Sequence, residues 1–68
     1  MKYYMQIMKP GTGDRWQQVN YWTNKAAAIS DALHTYGNTD NMASQNVMAV
    51  RVVRGKRNPV VVFEKITS

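Results

Sequence analysis

Residues 23–37, which read TNKAAAISDALHTYG, have the features of a capped helix. Thr23 or Asn24 can cap the N-terminus through a side-chain oxygen, and three alanines of high helix propensity follow. Gly37 stands where a left-handed C-cap residue is expected. Apolar residues spaced by three and four define one face, made of Ala26, Ile29, Ala32, Leu33 and Tyr36. A stripe this narrow is not stable alone in water, so we expect the helix to lie on a flat surface.

Four segments flanking this helix are predicted to be β-strands, because apolar and polar residues alternate in them or β-branched residues dominate. They cover residues 2–9, 15–22, 46–54 and 60–65. Glycine and proline mark turns at residues 10–14 and 55–59, and residues 37–45 are predicted to form a long polar loop. The ββαββ order predicts an α+β fold, a four-stranded antiparallel sheet with one helix packed on one face.

The same alternation predicts which strand residues the helix covers. These are Met5, Ile7, Val19, Tyr21, Met48, Val50, Val52, Val61 and Phe63. In the second strand, a shift of one residue would exchange the face that carries Trp16 and Trp22 with the face that carries Val19 and Tyr21.

The length and composition limit the kinds of site and activity that are expected of this chain. We predict a single domain over residues 1–68, of marginal stability, because a chain of this length buries roughly 60% of its unfolded surface. Without cysteine, and with one histidine, neither a disulfide nor a zinc site is expected, and we predict no metal and no cofactor. The four acidic residues show no spacing suited to acid–base catalysis, and His34 and Ser30 lack a third triad member. We therefore expect no catalytic residues and no enzyme activity.

The apolar runs of this chain are short. None approaches the roughly 20 residues needed to cross a membrane, and the N-terminal segment lacks the apolar core of a signal peptide. We expect a cytoplasmic protein that does not associate with membranes.

The positive charge is concentrated near the C-terminus. The net charge is +5, with +1 in residues 1–46 and +4 in residues 47–68. Four cations, Arg51, Arg54, Lys56 and Arg57, fall within seven positions at the second predicted hairpin. Such a cluster can contact phosphates or an acidic groove, although charged hairpins also simply prevent aggregation.

The face of the sheet that the helix leaves uncovered is the second candidate site. It is predicted to carry Tyr4, Gln6, Met8, Trp16, Gln18, Asn20, Trp22 and Arg51. Aromatic and arginine side chains are enriched in protein–protein interfaces, and the same mixture suits the stacking of unpaired bases. Two other interpretations remain open: the tryptophans cover the rim of a small core, or a homodimer buries this face. Tyr4, Trp16 and Trp22 are the predicted anchors.

Three stretches give the chain a wider resemblance: Tyr-Tyr-Met-Gln-Ile at residues 3–7, the Ala-rich helix that begins at Thr23-Asn24-Lys25, and Val-Met-Ala-Val-Arg-Val-Val followed by a turn and Val-Val-Val-Phe. In this pattern it resembles small proteins encoded by phages and mobile elements, including anti-CRISPR proteins that dock on type I surveillance complexes. The resemblance implies a non-enzymatic inhibitor that occupies a nucleic-acid-handling surface of a host protein or protein–nucleic-acid complex. The alternative is a module that binds DNA or RNA directly through the same residues.

Overall fold

The four predicted strands form one antiparallel sheet in the computed structural model, which describes residues 1–11, 13 and 15–66. The strands are Tyr3–Met8 (β1), Gln17–Trp22 (β2), Ala49–Arg54 (β3) and Val60–Ile66 (β4), in the order β2-β1-β3-β4. Two helices follow β2, Lys25–Tyr36 (α1) and Thr39–Ser44 (α2). The predicted α+β fold with a four-stranded antiparallel sheet is therefore confirmed, with two helices in place of one.

Helix α1 packs on β1, β2 and β3 through a buried stripe in which two of the three residues are alanine. Asn24 is its N-cap and accepts a hydrogen bond from the Ala27 backbone N–H at 3.0 Å. The buried residues of α1 are Ala28, Ala32 and Tyr36, spaced by four. Alanine has no bulk beyond Cβ, so the helix backbone can approach the sheet closely at these positions.

The predicted apolar face of α1 is therefore partly wrong. Ala32 and Tyr36 are buried as expected, and Ile29 is half-buried against the core. Leu33 is 48% exposed and Ala26 is exposed, because the contact is centred on the alanine stripe and leaves them to one side.

Gly37 ends α1 in a different way from the one predicted. Its φ of −73° is right-handed, so the glycine does not serve as a left-handed cap. A Cβ at this position would overlap the carbonyl oxygen of Leu33. Gly37 is thus required where the chain leaves α1, because its backbone lies against the Leu33 carbonyl one turn earlier.

This geometry predicts that Gly37→Ala destabilises the protein. At a right-handed position the substitution normally stabilises by about 0.4–1 kcal/mol, because it restricts the unfolded chain. Here the backbone must move to relieve the overlap, and we expect a net loss of about 1 kcal/mol or more in the free energy of unfolding, measured by urea titration. A gain in stability of the normal size would contradict this role for Gly37.

The predicted polar loop at residues 37–45 is wrong, because α2 occupies most of it. Asn38 is the N-cap and accepts a hydrogen bond from the Asn41 N–H at 2.7 Å. Gln45 Nε2 donates to the Thr35 carbonyl at 3.0 Å and ties the end of α2 to α1. Met42 is the one large apolar residue of this helix and is completely buried in the core.

Strand β3 starts at Ala49, three residues later than predicted. Asn46 has a φ of +57°, so the chain turns there after α2. The Met48 N–H then donates to the Met8 carbonyl at 2.8 Å, and regular pairing with β1 begins at the next residue. Met48 is half-buried and directly precedes β3.

A β-bulge in β2 changes which side of the sheet the later residues of this strand face. Met5 pairs with Asn20 and Gln6 pairs with Gln18, so Val19 has no partner on β1. An extra residue of this kind reverses the alternation of side chains beyond it. Trp22 therefore lies on the helix side, opposite Tyr3, and packs against the core, whereas Tyr21 lies on the other side. The predicted faces of Asn20, Tyr21 and Trp22 are wrong for this reason.

A second irregularity affects β4. Val52 pairs with Phe63 and Val53 pairs with Val61, so Val62 is the extra residue. Phe63 packs against the core as predicted, but Val61 is on the side opposite the helices and is 46% exposed.

The core lies between the helices and the centre of the sheet. Its buried residues are Met5, Ile7, Ala28, Ala32, Tyr36, Met42, Val47, Val50 and Val52. Burial raises the pKa of Tyr36, and the Asp31 carboxylate adds to that shift. Within the described part of the chain, neither helix has the length and apolar character that a membrane crossing requires.

Candidate binding surface

We call the sheet surface opposite α1 and α2 the open face. Following the strand register, it carries Tyr4, Gln6, Met8, Trp16, Gln18, Tyr21, Ala49, Arg51, Val53, Val61, Glu64 and Ile66. Tyr4, Ala49 and Val53 are buried although the helices pack on the other side. The larger side chains of the open face therefore cover them, and they are the floor of this surface.

Arg51 is the centre of the open face. Its Nε donates to Gln6 Oε1 at 2.7 Å, across the pairing of β1 with β3. Its guanidinium carbon lies 4.1 Å from the centre of a Trp16 ring, a cation–π distance. Arg51, Gln6 and Trp16 are all half-buried. One hydrogen bond and one cation–π contact thus hold the guanidinium in place.

Two tyrosines and a lysine form a second group on the open face. The ring centroids of Tyr4 and Tyr21 are 6.2 Å apart with a tilt of 40°, within the range of favourable aromatic pairs. The Lys2 ammonium lies 4.9 Å from the Tyr21 ring centre, and Tyr21 is 50% exposed. Trp16 and Tyr21 therefore each carry a cation over one ring face.

The structure brings together some of the predicted site residues and separates others. Trp16 and Arg51 are in contact, and Tyr4 shares their face but is buried. Trp22 lies on the helix side, so it cannot act with Trp16 as a second anchor. Arg54 is paired with Tyr3, which packs against the core, so Arg54 is also on the helix side, near the end of the sheet.

The remaining two predicted cations, Lys56 and Arg57, are exposed in the turn between β3 and β4. Gly55 opens this turn with a φ of +85°, a conformation that glycine adopts without strain, and its N–H donates to the Lys2 carbonyl at 3.0 Å. The predicted basic cluster is thus divided: Arg51 belongs to the open face and the other three cations to the end of the sheet.

Sequence reasoning missed Tyr21 and Lys2 as members of the surface. Tyr21 was assigned to the wrong face because nothing in residues 15–22 marks the bulge at Val19. Lys2 approaches Tyr21 through the pairing of β1 with β2. Gln6 was on the predicted uncovered face, but its bond to Arg51 depends on the β1–β3 register.

The acidic and histidine side chains that the structure describes do not cluster. Among them, no three His, Cys, Asp or Glu residues come together as a metal site would require. The described acids lie on three different elements: Asp31 on α1, Asp40 on α2 and Glu64 on β4.

The contact between Arg51 and Trp16 predicts an energetic coupling. In a double-mutant cycle of Trp16→Ala and Arg51→Ala, we expect a coupling of about 0.5–1 kcal/mol, typical of a cation–π pair that is not deeply buried. Urea unfolding followed by far-UV circular dichroism measures it without relying on tryptophan fluorescence. Strictly additive effects would show that the stacking does not contribute to stability.

Comparisons of the chain with protein-family models, with curated proteins and with solved structures give no match, so the interpretation of this surface depends on its geometry.

Proposed function

We propose that the protein is a non-enzymatic binding protein of the phage or mobile-element type, which blocks a nucleic-acid-handling complex of the host. The open face docks on a protein of that complex, and no bond is made or broken. The observation that carries the proposal is the grouping of Arg51, Trp16 and Gln6 on a sheet surface that the helices leave uncovered.

The side chains of this surface are those that dominate protein–protein binding energy. Tryptophan, tyrosine and arginine are enriched among interface hot spots because each offers a large contact area. Arg51 is already oriented by Gln6 and Trp16, so less side-chain entropy is lost when a partner binds. The buried floor residues Tyr4, Ala49 and Val53 keep the surface rigid.

The exposed cations of the protein have a separate role in this proposal. Lys56 and Arg57 are exposed in the β3–β4 turn, at the end of the sheet that also carries the open face. Positive charge beside a docking surface accelerates association with a negatively charged target more than it adds to final affinity. A complex that holds nucleic acid presents such a target.

Direct binding of DNA or RNA through the open face is the second candidate function, favoured by the net charge of +5. Base stacking needs free ring faces, and on this surface Arg51 lies over Trp16 while Lys2 lies over Tyr21. The rings therefore offer fewer stacking positions than an uncovered aromatic platform would. A protein partner fits this arrangement better, because it can use the ring edges and the guanidinium together.

Affinity capture from nuclease-treated host lysate tests the proposal. We expect the wild-type chain to retain a subunit of a nucleic-acid-handling complex, identified by mass spectrometry, and Tyr21→Ala to lose it. Leu33→Ala is the matched control, because Leu33 is as exposed as Tyr21 but lies on α1. Capture that disappears with nuclease, or that Tyr21→Ala leaves intact, would contradict docking through the open face.

A further inference from the structure

The fold gathers cations at one end of the sheet that are far apart in the sequence. At this end β1 begins, β2 and β3 finish, and α1 begins three residues after Trp22. Tyr3 pairs with both Trp22 and Arg54, and Gly55 bonds to Lys2. We call this region the basic end and define it by five exposed side chains, namely Lys2, Lys25, Arg54, Lys56 and Arg57.

These charges are close enough to act together. Neighbouring strands lie about 4.8 Å apart. The backbones at the ends of β2 and β3, marked by Trp22 and Arg54, lie on either side of β1 and are therefore separated by about 10 Å. That separation is comparable to the Debye length of about 8 Å at physiological salt. The acids that the structure describes lie elsewhere: Glu64 is opposite Arg51 in the sheet, Asp40 is in α2, and Asp31 is six residues into α1. The basic end therefore concentrates positive charge.

Lys25 occupies a position where a positive charge destabilises its own helix. It is the first residue of α1, and the first turn contains no acidic residue. The N-terminus of a helix carries partial positive charge, so a cation there is unfavourable and an acid would stabilise the fold. A residue that breaks a local stability rule is often retained for function. Lys25 and the α1 N-terminus add to the same positive field as the β3–β4 turn.

We infer that the basic end binds the phosphate backbone of nucleic acid. A nucleic acid strand presents a charge about every 3.4 Å along its axis, so one strand can meet several of these cations at once. An acidic protein surface offers carboxylates at irregular spacing and mixed with cations. In the context of the proposed function, on which this assignment of the partner rests, the nucleic acid is the one held by the blocked complex.

Fluorescence anisotropy with a 20-nucleotide single strand and a 20-base-pair duplex tests the inference directly. We expect both to bind the wild-type chain at 50 mM salt, with a steep fall in affinity as salt rises, about 0.9 in log–log slope per duplex phosphate contacted. The double variant Lys2→Ala/Lys25→Ala should weaken duplex binding at least tenfold and reduce that slope by about 2. Both positions lie outside the hairpin that the sequence marks as basic.

Two matched variants separate this site from the open face and from charge in general. Arg15→Ala/Lys65→Ala removes two cations from outside the basic end and should change affinity less than threefold. Trp16→Ala removes an open-face ring that lies against Arg51 and not against a cation of the basic end, so it should leave nucleic acid binding unchanged. Lys25→Glu should weaken binding while its melting temperature stays equal to or above that of the wild type, which excludes unfolding as the cause.

Three results would overturn the inference. They are absence of binding at 50 mM salt, equal loss in the two double variants, and tighter binding of a poly-glutamate peptide than of either nucleic acid. The last result would assign the basic end to an acidic protein surface. Capture of the protein partner is a separate measurement, so failure of the inference is distinguishable from failure of the proposed function.

Discussion

Replacing Met42 with alanine is expected to reduce the free energy of unfolding by about 2–5 kcal/mol, the range for truncation of a buried methionine. Met42 is completely buried and joins α2 to the core formed by α1 and the sheet. Folded domains are stable by only about 0.05–0.15 kcal/mol per residue, so a chain of 68 residues loses much of its total stability with this change. Urea unfolding followed by circular dichroism gives the value.

Two controls accompany this measurement. Leu33→Ala removes a comparable side chain from α1 at a half-exposed position and should cost about 1 kcal/mol or less. Met42→Leu conserves volume and should cost less than about 1.5 kcal/mol, so it remains measurable if the alanine variant does not fold. If Met42→Ala were no more destabilising than Leu33→Ala, α2 would not be docked as described.

Replacing Arg51 with alanine is expected to weaken binding of the captured protein partner by roughly 30-fold or more, the size of a hot-spot loss of about 2 kcal/mol. The guanidinium is the charged group at the centre of the open face, and its removal also releases Trp16 and Gln6. Arg51→Lys should restore little, because an ammonium has no planar group to lie flat on the Trp16 ring and cannot donate in a planar fork as a guanidinium does. Surface plasmon resonance with the immobilised partner measures both variants.

Arg54→Ala is the matched control for Arg51→Ala. Arg54 is three residues further along β3 but lies on the helix side of the sheet. We expect it to slow association and to reduce the salt dependence of the association rate, with little effect on dissociation. Equal dissociation rates for the Arg51→Ala and Arg54→Ala complexes would show that the open face is not the docking surface.

The strands and α1 are predictable from the sequence because their signals are local. Alternation in β1 and β3, the β-branched run of β4, and the cap at Asn24 each act within a few residues. The ββαββ order then leaves few arrangements other than an antiparallel sheet with helical cover on one side.

Helix α2 is not predictable in this way. Six residues are too few to be helical without tertiary contacts, and their sequence is polar apart from Met42 and Ala43. The helix forms because Asn38 caps it and Met42 fills the core, and both interactions depend on the packed fold.

The side of the sheet that each β2 residue faces also depends on tertiary pairing and is not predictable from the local sequence. A bulge depends on the pairing of two strands, so residues 15–22 alone do not reveal that Val19 is unpaired. One unpaired residue was enough to place Trp22 on the helix side and Tyr21 on the open face. The grouping of Trp16 with Arg51 was predicted because the alternation holds from Gln18 back to Trp16, the residue that directly precedes β2.

The central claim is that a partner covers the open face and leaves the helix side free. Hydroxyl-radical footprinting of the captured complex, read by mass spectrometry, measures this directly by comparing oxidation of Tyr21 and Leu33, which are almost equally exposed in the free chain. We predict strong protection of Tyr21 on binding and unchanged oxidation of Leu33. Protection of Leu33 with Tyr21 still fully oxidised would contradict the claim.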